Sequence, residues 1–276
     1  MAVLDQKFLL AHKLAQFKKS SNLRCWQLFW QFASVAPAFA SVFIGDENRV
    51  ALHLLGFAGT LFVLVQVRCS YKCFVMRSAA HALRRRVLLS TFLPLELSQC
   101  EVVATQRYLL IDDRKTKSCA PEKYYDNDAG VGRLGLLLAL HESILFSHHL
   151  HKRSAVFLFC WFLAPLGLIS ILLMALSPLL SQEGLMLSVR IWLLLVVLFS
   201  SVDVLGAYLL HRAAASELAD LHLRVAAIDR NGSETSSVLT CFLDYCSTIE
   251  SAPEIIPGLF DDDHDLLASR WSSLKK

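Results

Sequence analysis

Four long blocks of apolar residues dominate the hydropathy pattern of this chain, at residues 25–44, 50–67, 154–176 and 191–210. The third block has no charged residue over its 23 positions. At a rise of about 1.5 Å per residue, a helix of this length crosses a hydrocarbon core of about 30 Å. The pattern therefore predicts four transmembrane helices, although the first two blocks are also compatible with a buried helical hairpin.

The four blocks form two pairs, and a short polar link joins the members of each pair. Such links are typical of helical hairpins. The predicted organisation is an N-terminal amphipathic helix (1–24), a first transmembrane hairpin (25–67), a cytoplasmic helical insertion (68–153), a second transmembrane hairpin (154–210) and a cytoplasmic helical tail (211–276).

The polar segments also favour helices. The second block continues without Pro or Gly as far as Pro94, and the fourth continues to about residue 228. We expect further helices at 95–111, 236–250 and 262–274, and a loop rich in Asp, Asn, Pro and Gly before residue 133. No segment alternates with period two, so the fold class is all-α, an integral membrane protein with four transmembrane helices and a cytoplasmic helical bundle.

Lysine and arginine residues cluster at one end of each predicted span. They occur in the first 24 residues, after the second block and directly before the third, whereas the two links hold only Arg49 and Arg190. By the positive-inside rule, both termini and the insertion are cytoplasmic. Lys7, His12 and Lys13 interrupt the apolar N-terminal stretch, so it does not resemble a signal peptide.

The composition agrees with a membrane protein. Apolar residues make up 55% of the chain and charged residues 18%, against about 45–50% and about 25% in soluble domains. The predicted topology places most of the eight cysteines in the cytoplasm, where thiols stay reduced. No pair has the two-residue spacing of a zinc knuckle, so we expect packing cysteines, no metal site and no cofactor.

Charge is divided unevenly between the two cytoplasmic parts. The insertion carries 14 basic and 8 acidic residues, a net charge of +6, and the tail carries 6 basic and 11 acidic residues, a net charge of −5. One interpretation is ordinary surface charge, with anionic lipid near residues 84–86. The other is a site for a negatively charged ligand, partly covered by the tail. Its candidate ligand-binding residues are Arg84, Arg85, Arg86, Arg107, Arg114, Lys115 and Arg133, and its gating tail is Asp261, Asp262, Asp263 and Asp265.

An aspartate, Asp203, lies inside the fourth apolar block. A charge at that depth costs at least about 2.5–3.5 kcal/mol, so such residues usually face a bundle interior or water. Helical spacing places it on one stripe with Ser200, Gly206 and Ala207. Such a stripe suits either close helix packing or a cation pore lined by one helix from each subunit, with Ser200, Asp203 and Ala207 as pore-lining residues.

No combination of residues indicates an enzyme. His141, Glu142, His148, His149 and His151 lack the spacing of a helical zinc site. The glycines before residue 133 lack the G-K-[ST] ending of a phosphate-binding loop, although Arg133 there remains a candidate anion contact.

Two segments resemble a known family: "YYDNDAGVGRLGLLLALHESILFSHHLHKR" and "SAPEIIPGLFDDDHDLLASRW". Together with the order of hairpins, they resemble the SMODS-associated four-transmembrane effectors of bacterial antiphage systems, and most of all the Hailong-type membrane effectors. The resemblance implies a homo-oligomeric channel, a tetramer, in the bacterial inner membrane. It would open when a nucleotide or oligonucleotide, made by a partner nucleotidyltransferase, binds the cytoplasmic bundle, and it would then depolarise the cell.

Gating would be a two-state equilibrium. In the closed state we expect the acidic tail beside Arg84–Arg86, Arg107, Arg114 and Lys115, where a polyanion would displace it. The alternatives are a non-conducting membrane scaffold that docks a cytoplasmic partner, and a small transporter or lipid-modifying enzyme.

Overall fold

The computed structural model describes residues 6–44, 48–93, 98–112, 116, 130–199, 202–228 and 235–275, with the backbone alone at 197–199, 202, 203, 261 and 275. Helices and no strands occur in this part of the chain, which confirms the all-α class. The helices are α1 (Gln6–Ser41), α2 (Arg49–Phe92), α3 (Gln99–Gln106), α4 (Arg133–Leu158), α5 (Ala164–Leu176), α6 (Gln182–Phe199), α7 (Ala207–Ala227), α8 (Thr235–Ser251) and α9 (Leu259–Lys275).

The two longest helices, α1 and α2, form an extended hairpin. Asn48 caps the start of α2, where its side chain accepts a hydrogen bond from the Ala51 N–H at 3.4 Å. Residues 6–24, the described part of the predicted N-terminal amphipathic helix (1–24), continue directly into the first apolar block within α1. In this part, Leu9 and Leu10 are buried against Leu83 of α2.

The main core lies where α4, α7 and α8 meet the end of α2. Its buried side chains include Leu140, Ile144, Leu218 and Phe242, each with at most 1% of its surface exposed. Burial of such a side chain stabilises the fold by about 1.5–3 kcal/mol relative to full exposure. This packing fixes the ends of α2, α4 and α7 in one body.

A glycine allows the end of α2 to approach the start of α4. The Gly132 N–H donates to the Phe92 carbonyl at 2.7 Å. A Cβ atom at Gly135 would lie 2.7 Å from the Phe92 ring and 2.2 Å from the Gly130 carbonyl oxygen. Any larger residue at position 135 would therefore push the two helices apart.

Two helical stretches are long and apolar enough to cross a membrane: α2 and the continuous run Arg133–Leu179. None of the most apolar window of α2 is buried within the chain, and only 6% of the corresponding window of the second run is buried. Both runs therefore present apolar side chains outward along their most apolar stretches.

Short π-helical segments interrupt both helical arms of the second predicted hairpin. Phe159–Leu163 separates α4 from α5, and Val202–Gly206 precedes α7. The two segments are neighbours, since the rings of Phe159 and Tyr208 lie 6.0 Å apart.

The helices of the tail match their predicted positions. The expected helices at 236–250 and 262–274 correspond to α8 and α9. The helix expected at 95–111 is shorter, because α3 begins at a capping box in which Ser98 and Glu101 bond to each other's backbone N–H groups. It ends at Gln106.

Candidate functional site: a basic cluster in the helical bundle

The three consecutive arginines of α2 do not form one patch. Successive residues of an α-helix point about 100° apart, and their partners differ accordingly. Arg84 donates to the Tyr245 hydroxyl of α8, and Arg85 pairs with a carboxylate that also belongs to α8. Arg86 instead points to α3, where it donates to the Glu101 carbonyl at 2.6 Å.

Arg84 lies in a buried basic cluster with Lys13 of α1. The Lys13 side chain has no exposed surface, and burial together with the charge of Arg84 holds its pKa well below the usual value. The Arg84 guanidinium also lies 5.1 Å from the centre of the Tyr245 ring. The Tyr245 hydroxyl is 3.2 Å from the Ser147 hydroxyl, so one hydrogen-bond network joins α2, α4 and α8.

A second set of contacts fixes α8 against α2. Arg85 Nη1 lies 2.8 Å from Glu250 Oε1, and Arg77 donates to the Glu250 carbonyl at 3.0 Å. His81 is buried between these arginines, and burial, followed by the charges of Arg84 and Arg77, lowers its pKa. The positive charges of α2 are therefore partly neutralised by the tail, through Glu250.

The remaining basic candidates are not part of this cluster. Arg107 is exposed at the end of α3, and Arg133 is half-buried at the start of α4. Arg114 and Lys115 lie outside the described residues.

The acidic tail has other partners than expected. Asp263 forms an ion pair with Arg153 of α4 and lies 3.3 Å from His149, whereas we expected it beside Arg84–Arg86. The reason is hydrophobic: Leu259 and Leu267 of α9 pack on Leu150 of α4, which places Asp263 next to Arg153. Asp262 and Asp265 are exposed, and the side chain of Asp261 is not among those described.

Sequence reasoning missed a buried histidine pair between α4 and α7. His151 Nδ1 and His211 Nδ1 lie 2.8 Å apart, and both rings are buried. One nitrogen must donate and the other accept, so at least one ring is neutral. Burial, then the charges of Arg77 and Arg84, lowers the pKa of His151 to about 4. Burial, then His151, lowers the pKa of His211 to about 3.

A half-buried glutamate, Glu254, lies near this pair and was also missed. The Ser20 hydroxyl of α1 donates to Glu254 Oε2 at 2.8 Å, and burial raises the pKa of Glu254. The only sequence signal was Pro253, which marks the turn that brings the tail back to α1. The residues that surround the basic cluster come from segments more than 200 positions apart, so no local motif announces them.

The other histidines of α4 make structural contacts. His141 Nε2 is 3.1 Å from His222 Nδ1, and His148 Nδ1 is 2.8 Å from the Ala215 carbonyl. Within the described part of the chain, no group of three or more His, Cys, Asp or Glu side chains is arranged to hold a metal ion.

The structure describes only part of the predicted pore stripe. Ser200 lies outside the described residues, and at Asp203 only the backbone is described. Ala207 is buried within the single chain, with 4% of its surface exposed. The stripe was derived from 3.6 residues per turn, but Val202–Gly206 is a π segment, so residues three or four apart need not share a face.

Comparison with known proteins adds no relative: no family model, no curated protein and no solved structure matches this chain. The fold and the cluster therefore define the class by themselves, an all-helical protein whose apolar helices continue into a bundle with buried positive charge.

Proposed function

We propose that this chain is an inner-membrane protein with four transmembrane helices and both termini in the cytoplasm. Large apolar side chains point outward from α1, α2, α5 and α6. In water such a surface favours aggregation, whereas in lipid it is the expected surface. The exposed residues include Trp26, Phe29, Leu54, Phe57, Leu168, Ile171, Met186 and Leu193.

Contacts among the four apolar segments support this arrangement. The rings of Trp30 and Phe62 lie 5.4 Å apart, which joins the first two segments. The indole N–H of Trp192 donates to the Ser170 hydroxyl at 2.8 Å, which joins the last two. Phe32 stacks on a ring of the third segment at 5.9 Å. The segments therefore pack on one another and leave their outer faces for lipid.

We infer that the protein is a ligand-gated channel, and one observation carries this proposal. Helices α2 and α4 continue from apolar segments into a bundle in which Lys13 is fully buried near the half-buried Arg84, and burial and the charge of Arg84 lower the pKa of Lys13. Both effects disfavour the charged form of Lys13, so a polyanion that reaches these side chains and favours their charged forms also favours a rearranged bundle. Because the same helices enter the membrane, the rearrangement would move the spans.

The ion pair of Asp263 is our candidate latch for the closed state. It holds α9 on α4 beside the predicted entry of the third span. A phosphate that competes for Arg153 would release α9. Moving such an equilibrium from 1:99 to 99:1 requires about 5.5 kcal/mol of differential affinity, which several arginine–phosphate contacts supply.

The biological setting is proposed from the resemblance to the antiphage effectors. A homotetramer would bind a nucleotide or oligonucleotide from a partner nucleotidyltransferase, open and depolarise the inner membrane. Asp203 and its neighbours would line the pore at the axis of the assembly.

Ion flux from liposomes tests the channel. Full-length protein is reconstituted, and short single-stranded DNA and RNA oligonucleotides and cyclic dinucleotides are added in turn. We expect flux with one of these probes, and loss of the response in Arg84→Gln. The Asp263→Asn variant should leak without any probe. If no probe and no variant produces flux, the chain is not a channel of this kind.

One observation favours a non-conducting scaffold as the second candidate. Ala207 is buried within the protomer, as expected if the stripe near Asp203 serves helix packing. A scaffold would retain a cytoplasmic partner in the membrane fraction but would show no conductance in planar bilayers.

A further inference from the structure

A groove runs along the outer face of α4 and α7, where both helices meet the proposed membrane boundary. Its volume is about 320 Å³. The lining positions are one or two helical turns apart on each helix, so two matching stripes form its walls. These residues are Lys152, Ala155, Val156 and Phe159 on the α4 side, and Tyr208, Arg212 and Ala215 on α7.

The chemistry of the groove changes along its length. Lys152 and Arg212 are exposed at one end, and neither forms an ion pair within the described part of the chain. Phe159 and Tyr208 lie at the other end with their ring centres 6.0 Å apart. Between them, Ala155 has a side chain too small to fill the space. The groove thus has a cationic end and an apolar end.

The depth of the basic end matches the headgroup region of a bilayer. Lys152 precedes the third apolar block by two residues, and Arg212 follows the fourth by two. Lys and Arg side chains at such positions place their charges among the phosphates of the cytoplasmic leaflet, while their alkyl stems cover apolar surface.

We propose that this groove binds one anionic phospholipid of the cytoplasmic leaflet. Its phosphate would lie between Lys152 and Arg212, and an acyl chain would run past Val156, Phe159 and Tyr208. A soluble phosphate would use only the basic end, whereas the apolar stretch is what an acyl chain requires. The inference rests on the proposed membrane location but not on channel activity.

Lipid titration of the full-length protein in a mild non-ionic detergent tests the site. Short-chain phosphatidylglycerol, phosphatidylcholine with the same chains, and glycerol 3-phosphate are added in turn. Thermal unfolding reports binding, and native mass spectrometry counts retained lipids. We expect phosphatidylglycerol alone to raise the Tm and to be retained at one molecule per chain.

Two charge variants locate the effect. In Lys152→Gln/Arg212→Gln, we expect the apparent affinity for phosphatidylglycerol to fall about 30-fold in total, because each of the two basic residues contributes about tenfold or less. The control Arg68→Gln/Lys72→Gln removes the same charge from exposed positions on α2, outside the groove, and should bind like the wild type. Equal losses in both variants would indicate diffuse attraction and overturn the proposal.

A variant that fills the groove separates shape from charge. Ala155→Leu keeps both basic residues but occupies the space between the helices, so it should weaken lipid retention. Wild-type retention in this variant would overturn the proposal, as would an equal response to glycerol 3-phosphate. Lipid binding without ion flux would refute the channel and leave this site intact, so the two failures are distinguishable.

Discussion

The imidazoles of His151 and His211 form a hydrogen bond in the interface between α4 and α7. Their pKa values in the fold, about 4 and about 3, lie below the value of about 6.5 for a histidine in an unfolded chain. The unfolded state therefore binds protons first as the pH falls. The stability that the pair provides is complete above about pH 6.5 and is lost as the pH falls toward 4.

Replacement of His211 by Gln should reduce this acid sensitivity. Each pKa unit corresponds to about 1.4 kcal/mol, so the wild type should lose on the order of 2–3 kcal/mol of stability per histidine across this window. We expect a smaller difference in Tm between pH 7.5 and pH 5 in His211→Gln. The control is His264→Gln, since His264 is exposed on α9. Equal pH dependence in the wild type and His211→Gln would contradict the argument.

The Tyr245 hydroxyl joins Arg84 and Ser147 in the buried basic cluster. Tyr245→Phe keeps the ring and removes this oxygen, which leaves buried polar groups with fewer partners. The free energy of unfolding should fall by about 1–3 kcal/mol, measured by denaturation in detergent. Tyr108→Phe is the control, because its half-buried ring faces Arg86 at the bundle surface. Similar losses in both variants would show that the cluster does not depend on the hydroxyl.

At the scale of the element, α9 packs on α4 outside the main core, and the ring of its buried Trp271 lies 5.6 Å from the ring of His141. Leu259 and Leu267 form a small cluster with Leu150, and Asp263 pairs with Arg153. This cluster is separate from the main core of the bundle. Helix α9 should therefore open locally, without unfolding of α4, α7 or α8.

Leu267→Ala should detach α9 selectively. The side chain is fully buried, and truncation of such a leucine typically costs about 2–5 kcal/mol. We expect faster amide hydrogen exchange in residues 259–275, measured by mass spectrometry, with unchanged exchange in α7. Leu266→Ala, at the exposed neighbouring position, should leave exchange unchanged. Fast exchange throughout the bundle would show that α9 is part of the main core.

The sequence was sufficient for the helices but not for their side-chain partners. Apolar periodicity and Pro253 mark the starts and ends of elements, and those signals are local, whereas the Ser98 capping box that shortens α3 was not predicted. The partner of Asp263 was predicted wrongly, because overall charge attraction cannot indicate which helix face carries the leucines that dock α9. The His151–His211 pair also escaped prediction, since it joins positions 60 residues apart.

For the whole molecule, the proposed topology is defined by the side of the membrane on which each polar segment lies. The exposed apolar faces of α2 and of the run Arg133–Leu179 favour lipid contact. Basic residues lie on these helices at the ends that enter the helical bundle. The four-span arrangement makes a definite prediction for the short links and the tail.

Cysteine labelling checks that topology. In a background with every native cysteine replaced by serine, Asn48→Cys should react with a membrane-impermeant maleimide on intact cells. Ser237→Cys, an exposed position at the start of α8, should react only after permeabilisation. Equal labelling of both variants on intact cells would refute the arrangement.

The paired π segments have a mechanical consequence for the outer half of the molecule. Phe159–Leu163 and Val202–Gly206 sit where the helices leave the bundle, and a π turn holds more residues than an α turn. Tightening one by a single residue would turn the helix beyond it by about 100°. We expect such a change to redirect α5 or α6 relative to the helices of the main core.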